Sequence, residues 1–420
     1  MTVFDKELIK SLEKRFGQAF YINGHGEVTQ LNYVLFAELF TQTYNPIYET
    51  SEKKFYFYDK DTGLWKSHEK YAIIRKIGDM ICDYADEFQK PSLKRQVTPS
   101  ASLNILTYIP SCAAQENFFS PREEIFIHCG NGVLVYDESL NTWNLKAFSP
   151  DFHSRNRSNI IYDPEAKCPQ FMEKLILSAM GTMDAELLQT YAGQCLMGKN
   201  LSQTVLILTG TPGSGKSTLV CILEALIGKY NCAELRLEHM GSRFEAQRFI
   251  GKTLLTGTDV KSNFLATPSA CKLKPLVGND LVSTEEKGTN NVVNLTGNFN
   301  VIITSNHDLY ILIDGDEKAW QRRMLIIKYD NPPPKIEISD FATILIDEES
   351  AGILNWSLEG ARKLMLNNGK IPRTPEAEQR TNTFIMERDP IITFLKKYVK
   401  PVCAWPRKLE RLNKCKRLLN

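Results

Sequence analysis

The run GTPGSGKS at residues 210–217 limits what this chain can fold into more than any other stretch. It follows TVLILT at 204–209, a continuous apolar run of the kind that makes a parallel strand covered on both faces. It precedes residues 218–227, whose apolar spacing is helical. A glycine-rich turn between a buried strand and a helix points backbone N–H groups inward, and the helix adds its positive end to the same concavity. Both faces of such a strand need cover, so the chain must build a layered α/β domain around it.

The rest of the chain supplies material for that domain and for more. At 420 residues and 47.8 kDa it exceeds one typical core, so two to three domains are expected. Its 43% hydrophobic and 24% charged residues are ordinary for a globular protein. A net charge of +2 announces no polyanion binder, so any basic surface must be local. Ten cysteines lie scattered without a CxxC pair, which reads as reduced, buried thiols in a cytoplasmic protein rather than a zinc or disulfide framework. The charged amphipathic N-terminus lacks the apolar core of a signal peptide, and no apolar run is long enough to cross a bilayer.

Residues 1–150 read as a small α+β domain. FYFYDKDTGLW within 54–65 is a hairpin pattern, VLVYDESLNTW at 133–143 repeats it, and 70–88 between them is helical. Residues 151–200 read as a connector, irregular through Arg155 and Arg157 and then helical from 169 to 196, with a capped start at Asp184. Residues 201–335 carry four buried-strand candidates, at 204–209, 253–256, 300–305 and 325–329, alternating with helices in a three-layer α/β arrangement. Residues 336–420 read as mostly helical with a basic end.

The 210–217 run fits GxxxxGK[ST] in its required strand–turn–helix setting, so Gly210, Thr211, Pro212, Gly213, Ser214, Gly215, Lys216, Ser217 and Thr218 form a nucleotide-binding loop. Lys216 is placed to reach the β- and γ-phosphates of ATP, and Ser217 to ligate Mg²⁺. Such a loop needs an acid at a neighbouring strand end, and Asp259, closing LLTGTD, fits both as metal ligand and as catalytic residue. No glutamate stands beside it, so either Asp259 also activates the attacking water or another acid, such as Glu285 or Glu286, comes in. Asn306 ends the apolar run NVIITS and could orient that water. Arg322 and Arg323 precede the run MLIIKY, where a guanidinium could act on a neighbour's γ-phosphate. Between these lie two turn signals, at 278–280 and 287–289, framing β-capable segments that could project lysines toward a phosphate backbone. Taken one at a time, Asp259 and Asn306 are also turn formers, and the arginines and lysines also read as solvated charges.

Taken in order, these features resemble the superfamily 3 helicase module of AAA+ ATPases, found in phage and plasmid primase–helicases and a related poxvirus protein. IIYDPEAKCPQF at 160–171 is similar to the segment before the loop in that family, and the YDKDTGLW region to its N-terminal helicase-associated domain, so the resemblance spans residues 50–400. It implies an AAA+ core assembled as a homo-hexameric ring with ATP between subunits. Lys216, Ser217 and Asp259 would come from one subunit, with Asn306 as sensor, and Arg322 or Arg323 from the next. Arg323, directly before the apolar run, is the preferred one. Lys274 and Lys287 fall in the motif that forms a hairpin lining the ring channel. The short N-terminal extension leaves primase activity unexpected, and the basic residues after Pro406 read either as a DNA-binding end or as a disordered one.

The expected activity is therefore ATP-dependent DNA unwinding on single-stranded or forked DNA, in replication of a phage, plasmid or integrated mobile element, with host replication proteins as possible partners. An origin-melting initiator or helicase loader remains open. A small-molecule kinase is less favoured, since no arginine-rich lid is evident.

Overall fold

The computed structural model describes residues 4–119, 124–285, 287–288, 292–311, 317–333, 338–388 and 398. In chain order, α1 (Lys6–Phe16), the strands β1 (Phe20–Ile22) and β2 (Val28–Leu31) and α2 (Tyr33–Tyr44) lead into a second sheet. That sheet comprises β3 (Ile47–Glu49), β4 (Lys54–Asp59), β5 (Leu64–His68) and, after α3 (Lys70–Glu87) and α4 (Pro99–Ala113), β6 (Ala114–Gln115). β4 and β5 pair antiparallel from Phe55↔His68 to Asp59↔Leu64, so the aromatic hairpin read from the sequence is present. A three-stranded sheet follows, β7 (Phe126–Cys129), β8 (Gly132–Asp137) and β9 (Thr142–Lys146).

Apolar packing divides these elements. Leu35, Phe36, Ile77 and Ile105 belong to a core confined to the first 113 residues. Ile127, Cys129 and Leu134 of the three-stranded sheet pack instead with residues of the later α/β region. There the Trp143 indole donates to the Leu358 carbonyl at 3.3 Å.

The later region opens with a π-helical turn, Phe171–Ile176, continuing into α5 (Leu177–Ala179) and then α6 (Thr182–Leu196). The N-cap of α6 is Gly181, not Asp184. Asp184 lies in the first turn and receives both Arg380 η-nitrogens at 2.7 and 2.5 Å, so its carboxylate serves a distant ion pair rather than a cap. The remaining elements are β10 (Val205–Gly210), α7 (Lys216–Ile227), β11 (Cys232–Glu234), β12 (Leu254–Gly257), α8 (Leu273–Val277), β13 (Leu281–Glu285), β14 (Val292–Thr296), β15 (Asn300–Ser305), α9 (Glu317–Arg323), β16 (Met324–Tyr329), α10 (Phe341–Leu366) and α11 (Pro375–Arg388).

Five strands form one parallel sheet in the order β11-β12-β15-β10-β16. The sequence marks four of them; β11 is three residues long and too short to leave a period. β10 lies between β15 and β16 with Leu206, Ile207 and Leu208 fully buried, as its unbroken apolar run demands. Helix α6 packs against α10 at glycines: a β-carbon on Gly193 would lie 2.0 Å from the Ala361 nitrogen, and one on Gly360 would lie 1.9 Å from the Gln189 carbonyl. Only residues without a side chain let the two backbones approach that closely.

A buried polar network pins the starts of the two central strands. The Gln194 amide donates to Asn200 Oδ1 at 3.0 Å and to Asn300 Oδ1 at 2.9 Å. Asn200 donates to the Thr204 and Phe299 carbonyls at 2.9 and 2.8 Å, and the Tyr191 hydroxyl donates to the Val301 carbonyl at 2.7 Å. Satisfied groups of this kind specify register, because any slip would orphan several of them at once. β10 and β15 are thereby held in step at one end, which fixes where their other ends lie.

The cysteines divide. Cys129, Cys168 and Cys195 are buried as expected, whereas Cys221 and Cys271 are exposed. No helix among the described residues is long and apolar enough to cross a membrane.

Candidate functional site

Parallel strands end on the same edge of a sheet, so residues that follow them collect there. β10 runs into the glycine-rich loop, Asp259 lies just past β12, and Asn306 directly follows β15. All three meet in one cleft of about 700 Å³, lined by Gly213, Ser214, Gly215, Lys216, Ser217, Thr218, Asp259 and Asn306. Lys174, Leu175 and Ser178 from the π-helical turn and α5 complete the lining together with Ile338 and Phe341, and Leu175 Cδ1 would lie 2.7 Å from a β-carbon on Gly215.

The loop has the backbone its glycines permit. Gly215 takes φ +90° immediately before α7, a conformation that strains any residue with a β-carbon. Lys216 opens the helix with its side chain buried, and its ammonium donates to the Gly210 carbonyl at 3.0 Å, the Thr211 carbonyl at 2.8 Å and Ser214 Oγ at 3.0 Å. Burial lowers the Lys216 pKa from its ordinary value, and the charge of Asp259 pulls it back up. That coupling places the carboxylate and the ammonium in one electrostatic neighbourhood.

Asp259 is held in a left-handed conformation, φ +49°, which aspartate tolerates better than most residues. Its N–H donates to Thr304 Oγ1 at 2.9 Å, and the next residue's N–H to the Thr304 carbonyl at 2.9 Å. Ser305 Oγ donates to the Val260 carbonyl at 2.9 Å, and the Asn306 amide donates to Asp259 Oδ1 at 2.5 Å. Two neighbouring strand ends are thus laced together and present a carboxylate and an amide side by side. Among the described residues, Asp259 is the one carboxylate lining the cleft. Glu285 lies on β13, where it pairs with Arg243 at 3.1 Å, and Glu286 falls outside the described residues.

The arginines separate. Arg323 is 7% exposed, its Nη1 donates to the Ala319 carbonyl at 3.3 Å, and it packs near Gly278. Arg322 is exposed. A group that must reach another molecule cannot be buried in its own domain, so burial reverses the preference for Arg323. The C-terminal end of α9 that carries both is held by Arg373, which donates to the Gln321 and Arg322 carbonyls at 2.8 Å each. A cation on those orphan carbonyls also complements the helix dipole.

β13 and β14 form the expected hairpin, paired from Leu281↔Thr296 to Glu285↔Val292, with Lys287 exposed at its turn. Lys274 is not on it. It lies on α8, where Leu273, Leu276 and Val277 are buried at helical spacing, and its ammonium sits 5.2 Å from the centre of the Trp320 ring.

Two contributors left no sequence signal. Glu349 of α10 is buried and accepts the Gln170 and Phe171 N–H groups at 2.9 and 2.8 Å, capping the helical segment whose Lys174, Leu175 and Ser178 line the cleft. The apolar lining by Leu175, Ile338 and Phe341 is the second. Their partners lie far off in sequence, so no local pattern could pair them.

Residues 37–177 match the family described as "D5 N terminal like", and residues 208–323 match a "Family of unknown function (DUF5906)". No curated protein matches the sequence. Among solved structures, the A form apo structure of the NrS-1 C terminal region is similar at a TM-score of 0.51 and 12% identity, covering 90% of this chain and 84% of that one. Two further apo structures of that region, both spanning its residues 305–718, give TM-scores of 0.48 and 0.47 at 13% and 12% identity. The first covers 79% of this chain and 71% of its own, the second 92% and 86%. At 12% identity the likeness to the first of these is one of fold, a mixed α/β architecture shared over most of both chains.

Proposed function

We propose that this chain is an ATP-hydrolysing AAA+ motor of the superfamily 3 helicase type, acting on DNA in replication of a phage, plasmid or integrated mobile element. One observation carries the reading: Lys216, Asp259 and Asn306, apart in sequence, line one cleft at the ends of adjacent parallel strands. The D5-type match and the order of sequence motifs support the same assignment.

The residues present fit ATP and Mg²⁺. Ser217 and Asp259 offer hard oxygen donors beside the loop, as Mg²⁺ prefers, and the Lys216 ammonium already sits among three oxygens. When bound, the metal would neutralise phosphate charge. Lys216 then exchanges its loop acceptors for β- and γ-phosphate oxygens, while the N-terminus of α7 faces the same anion. Asn306, with one amide hydrogen spent on Asp259, keeps its amide oxygen as an acceptor for the attacking water. Among the described residues lining the cleft, Asp259 is the carboxylate that can serve as base. Leu175, Ile338 and Phe341 offer an apolar wall to a nucleobase. Catalysis is then positioning and charge stabilisation.

In this reading the subunits form a hexameric ring, Arg322 reaches the neighbour's γ-phosphate, and Lys287 at the hairpin turn follows the DNA backbone. Lys274 steadies α8 against α9 and takes no direct DNA contact. The initiator or loader reading shares every one of these parts and differs only in whether strands are displaced.

The test is ATP turnover with and without single-stranded DNA, beside strand displacement on a fork. Turnover that rises with DNA supports the motor, and displacement selects helicase over loader. ATP turnover indifferent to DNA in an assembled ring would contradict the reading. Arg322→Ala should lose turnover while keeping ATP affinity and fold; Arg323→Ala should lower thermal stability instead.

A further inference from the structure

Arg155 and Arg157 stand in the connector, and the nucleotide cleft uses neither. They lie where the first domain meets the parallel-sheet domain. The Asn156 amide donates to the Gly251 carbonyl, and the Asn231 amide donates to the Arg157 carbonyl at 3.3 Å. From the other side, the Trp65 N–H donates to the Ser154 carbonyl at 2.7 Å. The connector is therefore bolted to both domains and forms the floor between them.

A groove of about 630 Å³ opens above that floor, between the β4–β5 hairpin and the loop leading into β11. Lys54, Lys66, Arg155, Arg157 and Lys252 line it, and no carboxylate does among the described residues. Two of these cations are spoken for from outside the groove: Arg155 pairs with Glu52 at 2.5 Å and Lys66 with Asp59 at 2.5 Å. Lys54, Arg157 and Lys252 have no ion pair among the described residues. Arg157 donates to the Thr62 carbonyl and to Asn159 Oδ1, both at 3.3 Å, and Lys252 to the Tyr230 carbonyl at 2.6 Å. Those neutral partners orient the two cations without cancelling their charge.

The rim adds a second kind of feature. Tyr230 is 86% exposed, and its backbone is tethered by Lys252, so its ring is presented to solvent beside the cations. Cations without an ion pair beside an exposed aromatic face are the composition that binds single-stranded nucleic acid: phosphates on the charges, a base on the ring. A duplex keeps its bases stacked and could not use Tyr230.

We propose that the groove formed by Lys54, Arg157, Lys252 and Tyr230 is a second binding site for single-stranded DNA, separate from the β13–β14 hairpin. This rests on the DNA reading above and extends it to a face that no motif marks. A strand held there would be tied to the first domain as well as to the motor domain.

Lys54 and Tyr230 are both exposed, so Lys54→Glu and Tyr230→Ala can be made in the full chain without disturbing the core. The probe is a fluorescent oligothymidine followed by anisotropy across a salt series. Lys54→Glu should weaken binding about 5- to 10-fold at low salt and flatten the salt slope by about 0.7. Tyr230→Ala should weaken it about 5-fold, the lower end of base–aromatic stacking. Basal ATP turnover should stay unchanged in both.

Unchanged affinity in both variants, while Lys287→Ala binds more weakly, would overturn the groove and leave the hairpin standing. A wild-type protein with no affinity for the oligonucleotide would instead sink the underlying DNA reading. Weakened binding of duplex alone would overturn the proposal, as would displacement of the probe by inorganic phosphate at matched phosphate concentration or by an acidic peptide at matched charge.

Discussion

The nucleotide cleft and the β13–β14 hairpin are built on opposite principles. The cleft sits where buried parallel strands end, and nearly every group in it is fixed by something behind it: Asp259 by Thr304, Asn306 by Asp259, the loop by Lys216. The hairpin is two strands that pair only with each other among the described residues, with Leu281 70% and Val292 60% exposed. Its anchorage is Val282 and Leu295, which pack on the core from one face, and the short stretch near Arg243, whose carbonyl accepts from Thr284 Oγ1 at 3.0 Å and from the Glu285 N–H at 2.9 Å. Rigid positioning suits chemistry that tolerates little misplacement, and a lightly held hairpin suits an element that must move. Substitutions in the first should therefore cost function or stability steeply, and substitutions in the second should cost coupling alone.

The steepest loss is expected at Lys216. Lys216→Ala removes both the phosphate-facing cation and the loop's internal tie, and should cut ATP turnover by about 10³-fold, the scale of deleting one preorganised electrostatic contact. Single-turnover hydrolysis reads it. Should turnover fall only a few-fold, the cleft is less preorganised than its contacts imply.

Next comes the polar network beneath the cleft. Gln194→Leu orphans the acceptor on Asn300 and the N–H of Ser202, which Gln194 Oε1 accepts at 2.9 Å, while Asn200 Oδ1 keeps only the Thr204 N–H at 3.0 Å and the Ser202 hydroxyl at 3.4 Å. It should lower unfolding free energy by about 3 kcal/mol, measured by urea denaturation, since each buried orphan costs about 1–3 kcal/mol. A neutral result would mean that strand register is held by apolar packing alone.

The smallest effect on fold and basal chemistry is expected at the hairpin turn. Lys287→Ala should leave the melting temperature and DNA-free ATP turnover unchanged and abolish stimulation by single-stranded DNA. If stimulation survives, the contrast between the two regions loses its functional half.

The same contrast explains what could be read in advance. The loop, β10, β15 and β16 each carry a local pattern, glycine spacing or an unbroken apolar run, so the sequence names their residues directly. Asp259 and Asn306 could be chosen because they follow such runs. Where pattern gave way to tertiary packing, reading failed. Lys274 looks like a hairpin lysine until Leu273, Leu276 and Val277 turn the segment into a buried helical turn. Arg323 looks better placed than Arg322 until α9 rotates it inward. Glu349 caps a helix 178 positions away in sequence, and nothing near it announces that role.

Asn306→Ala, with ATP affinity and turnover measured separately, tests most directly whether the three strand ends make one catalytic centre. Asn306 neither opens the loop nor faces the apolar wall, so ATP should bind within about 3-fold of the parent affinity while turnover falls about 10²-fold, as expected for loss of a group that orients the reacting water. Turnover at the parent rate would contradict the account, because the amide beside Asp259 would then have no part in the reaction.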